Sequence, residues 1–142
     1  MQIQILQIAP TKDANIAALE AEYEKRLRPF FKLESITIPL KKEDTLIKHL
    51  DPDAHIIALS PDASQLSSTD FATLIKKTRD HGPGRIQFLI GGSHGLHESV
   101  LAAAHQTLSF SKMTFTHEMI RVFLKEQIYR AATIIAGKRY HK

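Results

Sequence analysis

The chain has 142 residues, 43% of them hydrophobic and 24% charged, the balance of an ordinary globular protein. A chain of this size hides roughly 70% of its unfolded surface and is expected to form one domain over residues 1–142. The absence of cysteine excludes a disulfide framework, a thiolate nucleophile and a cysteine-based zinc site, and no run approaches the ~18 apolar residues of a membrane span. Of 19 Lys and Arg and 15 Asp and Glu, 6 and 2 fall in residues 113–142, so the whole net charge of +4 sits on Arg121, Lys125, Arg130, Lys138, Arg139 and Lys142. Such a cluster is either a solvated helix face with a charged tail or a surface that meets a polyanion such as RNA.

The opening "MQIQILQIAP" alternates and has no basic leader, so it reads as a first strand, about 2–8, and not as a signal peptide. Cytoplasmic residence is the expectation. Asp13 is placed to cap a helix with Ile16, Leu19, Tyr23, Leu27 and Phe30 at helical spacing, ending near Arg28 before Pro29. "LESITIP" at 33–39 alternates as a second strand, and "KKEDTLIKHL" at 41–50 supplies only a short helix or loop. "HIIALS" from residue 55 is a continuous apolar run, the pattern of a strand buried on both faces.

Ser67 or Ser68 can then cap a helix carrying Phe71, Leu74 and Ile75, which stops at "DHGPG". "RIQFLI" at 85–90 is a further buried strand, followed by "GGSHG" and a helix with Val100, Leu101 and Ala104. A brief strand at about 107–110 precedes "FSKMTF" and a helix from roughly Thr116 to Ile135. Its predicted apolar face is Ile120, Phe123, Leu124, Ile128, Ala131 and Ile135, and Gly137 is placed to end it. The alternation predicts an α/β fold with a mainly parallel sheet flanked by helices. In such sheets ligands bind beyond the carboxyl ends of strands, which selects the loops after Leu59, Ile90 and Phe110.

The glycine-rich loop "FLIGGSHGL" lies between strand and helix, where Gly91, Gly92 and Gly95 let backbone approach a ligand or simply permit a tight turn. Its spacing matches neither the dinucleotide nor the triphosphate fingerprint. Eight histidines suggest metal binding, but His94 and His97 lack a third ligand at a workable spacing, and "HEMIR" at 117–121 has Arg121 where a zinc-protease motif needs histidine. No metal is expected. "FSKMTF" at 110–115 interleaves aromatics and Met with Ser, Lys and Thr, which suits either an aromatic ligand such as adenine or core contacts between the last strand and helix. The terminal "GKRYHK" places a phenol and an imidazole beside three cations.

Together "AEYEKRL", "IGGSHGLHESVL", residues 108–115, "HEMIRVFLKEQIYRA" and the terminal "YHK" resemble the bacterial ribosomal RNA large-subunit methyltransferase H family, the pseudouridine-N3 methyltransferases of the knotted SPOUT class. The resemblance covers essentially the whole chain. Region 40–54 looks shorter than is usual, which puts a helix between the second and third strands in doubt. The resemblance implies a C-terminal trefoil knot, a homodimer and S-adenosylmethionine as cofactor, held at Leu59, Gly91, Phe110, Ser111, Lys112, Met113, Thr114 and Phe115. The implied substrate is N3 of a pseudouridine in 23S ribosomal RNA, within the assembled ribosome.

With that substrate, His141 is the expected proton acceptor or base-orienting group and Tyr140 the group that positions the nucleobase, while Arg121 and Arg139 hold phosphate or a developing anion. Lys112 has two readings: a cofactor contact, or backbone in the cofactor run with its ammonium turned to RNA. Two rivals stand beside this reading: a non-catalytic ribosome- or RNA-binding protein that uses the basic helix alone, and a flavodoxin-like enzyme acting on a phosphorylated metabolite.

Overall fold

A computed structural model describes residues 1–142. Five strands, β1 (Gln2–Ile8), β2 (Lys32–Ile38), β3 (His55–Leu59), β4 (Arg85–Ile90) and β5 (Gln106–Leu108), are accompanied by four helices: α1 (Ala14–Leu27), α2 (Ser68–His81) and α3 (Glu98–Ala103) between strands, and α4 (His117–Ile135) after the last. Between β2 and β3 the chain forms 3-10 turns over Leu40–His49. This is the element order expected from the sequence, with the charged 41–50 stretch confined to the tighter helix.

Every strand pairing is parallel, in the order β2-β1-β4-β3-β5. Ile5 is level with Phe88 and Phe88 with Ile57, so three fully buried side chains form a row across the centre of the sheet. Because side chains alternate along a strand, Ile3 and Ile5 of β1 face α1, α2 and α4, while Leu6 and Ile8 face the opposite layer with Val100 of α3 and Leu46 of the 3-10 turns. Parallel strands need crossovers, and these crossovers cover both faces. No helix is long and apolar enough to cross a membrane.

Side-chain caps fix where the helices start. Asp13 accepts from the backbone N–H groups of Asn15 and Ile16, Ser67 from Asp70, and Thr116 from Met119, each satisfying donors the helix leaves without partners. The end of α4 is set by Gly137 at φ +66°. Gly137 N–H donates to Ile134 and Lys138 N–H to Thr133, the paired bonds that turn a chain back from a helix end.

The helix faces differ from the sequence expectation in one respect. On α1, Leu19 is 46% exposed while Glu20 is buried, and on α4 the inner face includes Arg121 and Lys125, at 0% and 1% exposure. Periodicity ranks such residues as solvent-facing, yet they meet partners inside. Lys125 Nζ is paired with Glu20 and lies 2.7 Å from Glu24, and Glu20 also accepts from Thr11. The positive field inferred for the last 30 residues therefore shrinks: Arg121 and Lys125 are internal, Arg130 is paired with Glu126 at 2.6 Å, and Lys138, Arg139 and Lys142 remain exposed.

Removing one member of a buried ion pair leaves the other charge without compensation, at a cost of about 3–5 kcal/mol, whereas replacing the pair with apolar groups is often near neutral. Lys125→Ala should thus destabilise the protein by about that amount in urea unfolding, and Lys125→Met combined with Glu20→Leu should recover most of the loss.

Candidate active site

β3, β4 and β5 are neighbours at one end of the sheet, so the loops that follow Leu59, Ile90 and Leu108 emerge side by side. The first is tied to the third by backbone: Ser60 N–H donates to Leu108 and Ser109 N–H to Ser64, both at 3.0 Å. The third is drawn into a compact turn by its serines. Ser109 Oγ lies 2.9 Å from the Ser111 carbonyl and 3.2 Å from that of Pro61, and Ser111 Oγ accepts from Met113 N–H at 3.0 Å. Ser and Thr hydroxyls bonded to nearby backbone favour such non-helical turns, which is why a segment this apolar is neither strand nor helix.

The middle loop doubles back on itself. Gly95, at φ +76°, donates its N–H to the Gly92 carbonyl at 3.0 Å. A Cβ on Gly91 would stand 2.4 Å from the Gly95 carbonyl carbon, closer than any side chain tolerates. Glycine at 91 is therefore required by the loop's own folding, and the loop presents backbone to the space above the sheet.

The three loops and the first turn of α4 enclose a cleft of about 500 Å³, within the range of small-molecule sites. Leu59, Gly91, Phe110, Ser111, Met113, Thr114 and Phe115 all line it, so seven of the eight expected cofactor positions converge. The eighth does not: Lys112 is exposed and its side chain stands outside the cleft. That is a correction to a side-chain role for Lys112 in the cleft, and it follows from the serine-bonded turn, which directs this residue to solvent.

Sequence reasoning missed Ser60, Ser93, Thr116, His117 and Glu118, which also line the cleft. The sequence pattern marks His117 and Glu118 only as an incomplete zinc motif. Glu118 is the one charged side chain among the lining residues, and its Oε1 accepts the backbone N–H groups of Lys12 and Asp13 at 2.8 and 3.0 Å. The bond from Asp13, then that from Lys12 and the positive charge of Arg121, hold its carboxyl below the usual range. No group of three His, Asp or Glu in the chain is disposed to hold a metal ion.

The remaining predicted residues are placed elsewhere. Arg121 is fully buried: Nη2 donates to the carbonyls of Ile8 and Ala9 at 2.7 and 2.8 Å, and Nη1 to Thr11 Oγ at 2.9 Å. Burial pushes its pKa down, opposed by Glu20 and Glu118. It cannot hold phosphate from this position, and the expected catalytic role is corrected to one of positioning β1 against α4. Tyr140 folds back onto the middle of α4, where its hydroxyl donates to Glu126 Oε1 at 3.0 Å and its ring meets Tyr129 edge-on at 4.8 Å. Burial and the bond to Glu126 raise its pKa, so the phenol stays protonated.

The Arg130 guanidinium lies 4.9 Å above the Tyr140 ring and 3.3 Å from His141 Nδ1. His141 and Arg139 are exposed. None of these tail residues lines the cleft of its own chain. Glu126, the tail's anchor, borders a second hollow that shares Leu108, Phe110, Ser111 and Phe115 with the cleft. A Glu-x-x-x-Arg pair on α4 opposite a terminal Tyr was the available signal for this cluster.

A parallel sheet that opens a small-molecule cleft over its last three strand ends, under the first turn of the final helix, agrees with the fold expected of a methyltransferase of the SPOUT family. The chain belongs to that family: the family described as "Predicted SPOUT methyltransferase" matches residues 1–141. Within it the chain belongs with the ribosomal RNA large subunit methyltransferase H proteins, being 40% identical to the one from Clostridium botulinum (strain 657) over 159 aligned residues that cover all of both chains. The alignment exceeds the 142 residues present, in keeping with a chain shortened relative to its family.

Among solved structures, a probable methyltransferase from Bordetella pertussis superposes with a TM-score of 0.64 at 13% identity, over 92% of this chain and 93% of that one. The Legionella pneumophila protein Lpg2936, in complex with the bound cofactor SAM, gives 0.51 at 10% identity over 93% and 66%. At these identities the likeness is one of fold.

Two outcomes follow from the local geometry. Gly91→Ala should lower stability by about 1–3 kcal/mol in urea unfolding, the usual cost of forcing atoms into occupied space. The ionised Glu118 carboxylate contributes stability above its unfolded value of 4.5, and that contribution is lost as pH falls through its lower folded-state value. The stability difference between wild type and Glu118→Gln should accordingly shrink on acidification; a difference independent of pH would contradict this.

Proposed function

We propose that the chain is an S-adenosylmethionine-dependent methyltransferase that acts on N3 of a pseudouridine in 23S ribosomal RNA within the assembled ribosome, in the cytoplasm, as a homodimer with a trefoil-knotted last segment. The observation that carries the reading is the cleft itself, formed by the Gly91 loop and residues 110–115 at the ends of three adjacent strands. Full-length kinship to ribosomal RNA methyltransferases supports the substrate class.

The cleft's chemistry fits that cofactor. Apolar walls at Leu59, Ile90, Phe110 and Phe115 suit the adenine ring, hydroxyls and loop backbone suit the ribose, and the only charge in the lining is negative, matching a ligand that is cationic overall. When bound, S-adenosylmethionine supplies an electrophilic methyl group, so the protein's task is to align the acceptor and take its proton. The imide N3 must lose its proton for its electron pair to attack. The exposed imidazole of His141 is the proposed acceptor, with Tyr140 placing the base and Arg139 meeting phosphate.

These tail groups contact α4 at Glu126, six residues beyond Ile120, the last residue of α4 to line the cleft, and hence about 9 Å further along the helix. A second copy is the proposed solution: the tail of one chain serves the cleft of the other, and neither chain alone brings the base and the methyl group together.

Calorimetry with S-adenosylmethionine followed by tritiated methyl transfer to ribosomes and to naked 23S RNA tests the reading. Cofactor binding with incorporation into ribosomes is expected. RNA affinity without cofactor binding would favour the non-catalytic alternative. His141→Ala should lower turnover by about 100-fold, the lower range for losing acid–base assistance, and a wild-type rate in both this variant and Tyr140→Phe would refute the tail assignment. Lys112→Met should weaken ribosome binding and reduce its salt dependence by about one phosphate contact while leaving cofactor affinity unchanged.

A further inference from the structure

We infer that Glu118 is the cleft's cation receptor and that it binds the α-ammonium group of the cofactor's amino-acid end, an inference that rests on the S-adenosylmethionine reading above. Glu118 is the only Asp, Glu, Lys or Arg among the residues that line the cleft. The carboxylate is held in place by the chain. Oε1 is fixed by the two backbone N–H groups at the entry to α1, while Oε2 takes no hydrogen bond or ion pair from any protein group. A carboxylate in the lining of a ligand-sized cleft, with one oxygen committed to structure and the other without a protein partner, has the chemistry of a receptor for an N–H cation.

S-adenosylmethionine offers two positive centres, and chemistry distinguishes them. The sulfonium has no N–H to donate, and a carboxylate placed against it would put a nucleophile beside the methyl group destined for RNA. The ammonium has three N–H donors, and binding there uses the hydrogen-bonding capacity of Oε2 at a distance from the transferred carbon. Glu118 thus fixes the end of the cofactor remote from adenine. It does so from the first turn of α4, the helix whose middle carries the tail cluster at Glu126 and Arg130. The acid end of the cofactor site and the tail-docking site are two stations on one rigid element.

The test is calorimetric and independent of turnover. Wild type and Glu118→Gln are titrated with S-adenosylmethionine, with S-adenosylhomocysteine, which keeps the ammonium but lacks the sulfonium, and with methylthioadenosine, which lacks the amino-acid end. Glutamine keeps a carbonyl oxygen for the Lys12 and Asp13 N–H groups, so the fold is retained and a melting curve verifies it. The variant should lose about tenfold or more in affinity for the first two ligands, the scale of a hydrogen bond to a charged group, and bind methylthioadenosine as wild type does.

Equal weakening of all three ligands would make Glu118 a structural support for the cleft and overturn the inference. Loss for S-adenosylmethionine alone would assign the carboxylate to the sulfonium and overturn it too. Unchanged binding of all three by a folded variant would leave it no ligand role. If wild type itself bound none of them, the cofactor reading would fail first and this inference with it. Glu118→Asp, which keeps the charge but shortens its reach, should fall between wild type and the glutamine variant for the two ammonium-bearing ligands.

Discussion

The guanidinium of Arg121 is buried where α4 crosses the carboxyl end of β1, held by the carbonyl oxygens of Ile8 and Ala9 and the hydroxyl of Thr11. Desolvating such a group is costly unless its donors are taken up; here Nη1 and Nη2 are taken up by the Thr11 hydroxyl and two main-chain carbonyls at a strand's end, while Nε has no partner. Ala9 leaves β1 at φ +65°, a region non-glycine residues rarely enter. Its carbonyl is turned to meet Arg121. One side chain therefore sets both how β1 exits the sheet and how α4 sits on it.

From that junction the rest of the site can be followed outward. Thr11, bonded to Arg121, also bonds Glu20 of α1, and Glu20 pairs with Lys125 one turn further along α4. Glu118, one turn back from Arg121, accepts from the backbone at α1's entry. Three polar residues at i, i+3 and i+7 of α4 thus clamp the turn between β1 and α1, and the first of them faces the cleft. The apolar side chains of α4 bury area, which has no strong preference for register, whereas directional bonds do. The arrangement makes the position of α4's first turn, and hence of the cleft wall, a matter of hydrogen-bond geometry.

Much of the architecture was legible in the residues. Continuous apolar runs at 55–60 and 85–90 announced strands buried on both faces, and turn residues after them marked the loops that converge. The inner face of α4 was misjudged because periodicity counts Arg121 and Lys125 as polar, and nothing local in the sequence says that their partners lie about 110 residues away at Thr11 and Glu20. Glu118 was overlooked for the same reason: its role depends on the N–H groups of Lys12 and Asp13. The tail was recognised by residue type but its site could not be placed, because Tyr140 reaches Glu126 only after the chain reverses at Gly137. Local pattern records what a residue is. Long-range pairing decides what it faces.

The reversal at Gly137 also sets a metric limit. The four residues from Lys138 to His141, fully extended, span at most about 14 Å. Bound to Glu126 and Arg130, they lie folded against their own helix; released, they sweep a sphere of that radius about a point pinned by the bonds to Ile134 and Thr133. Any group that the backbone of Tyr140 and His141 meets has to lie inside that sphere. The last helix thereby acts as a mast of fixed height, and the reach of these two side chains is measured from its top.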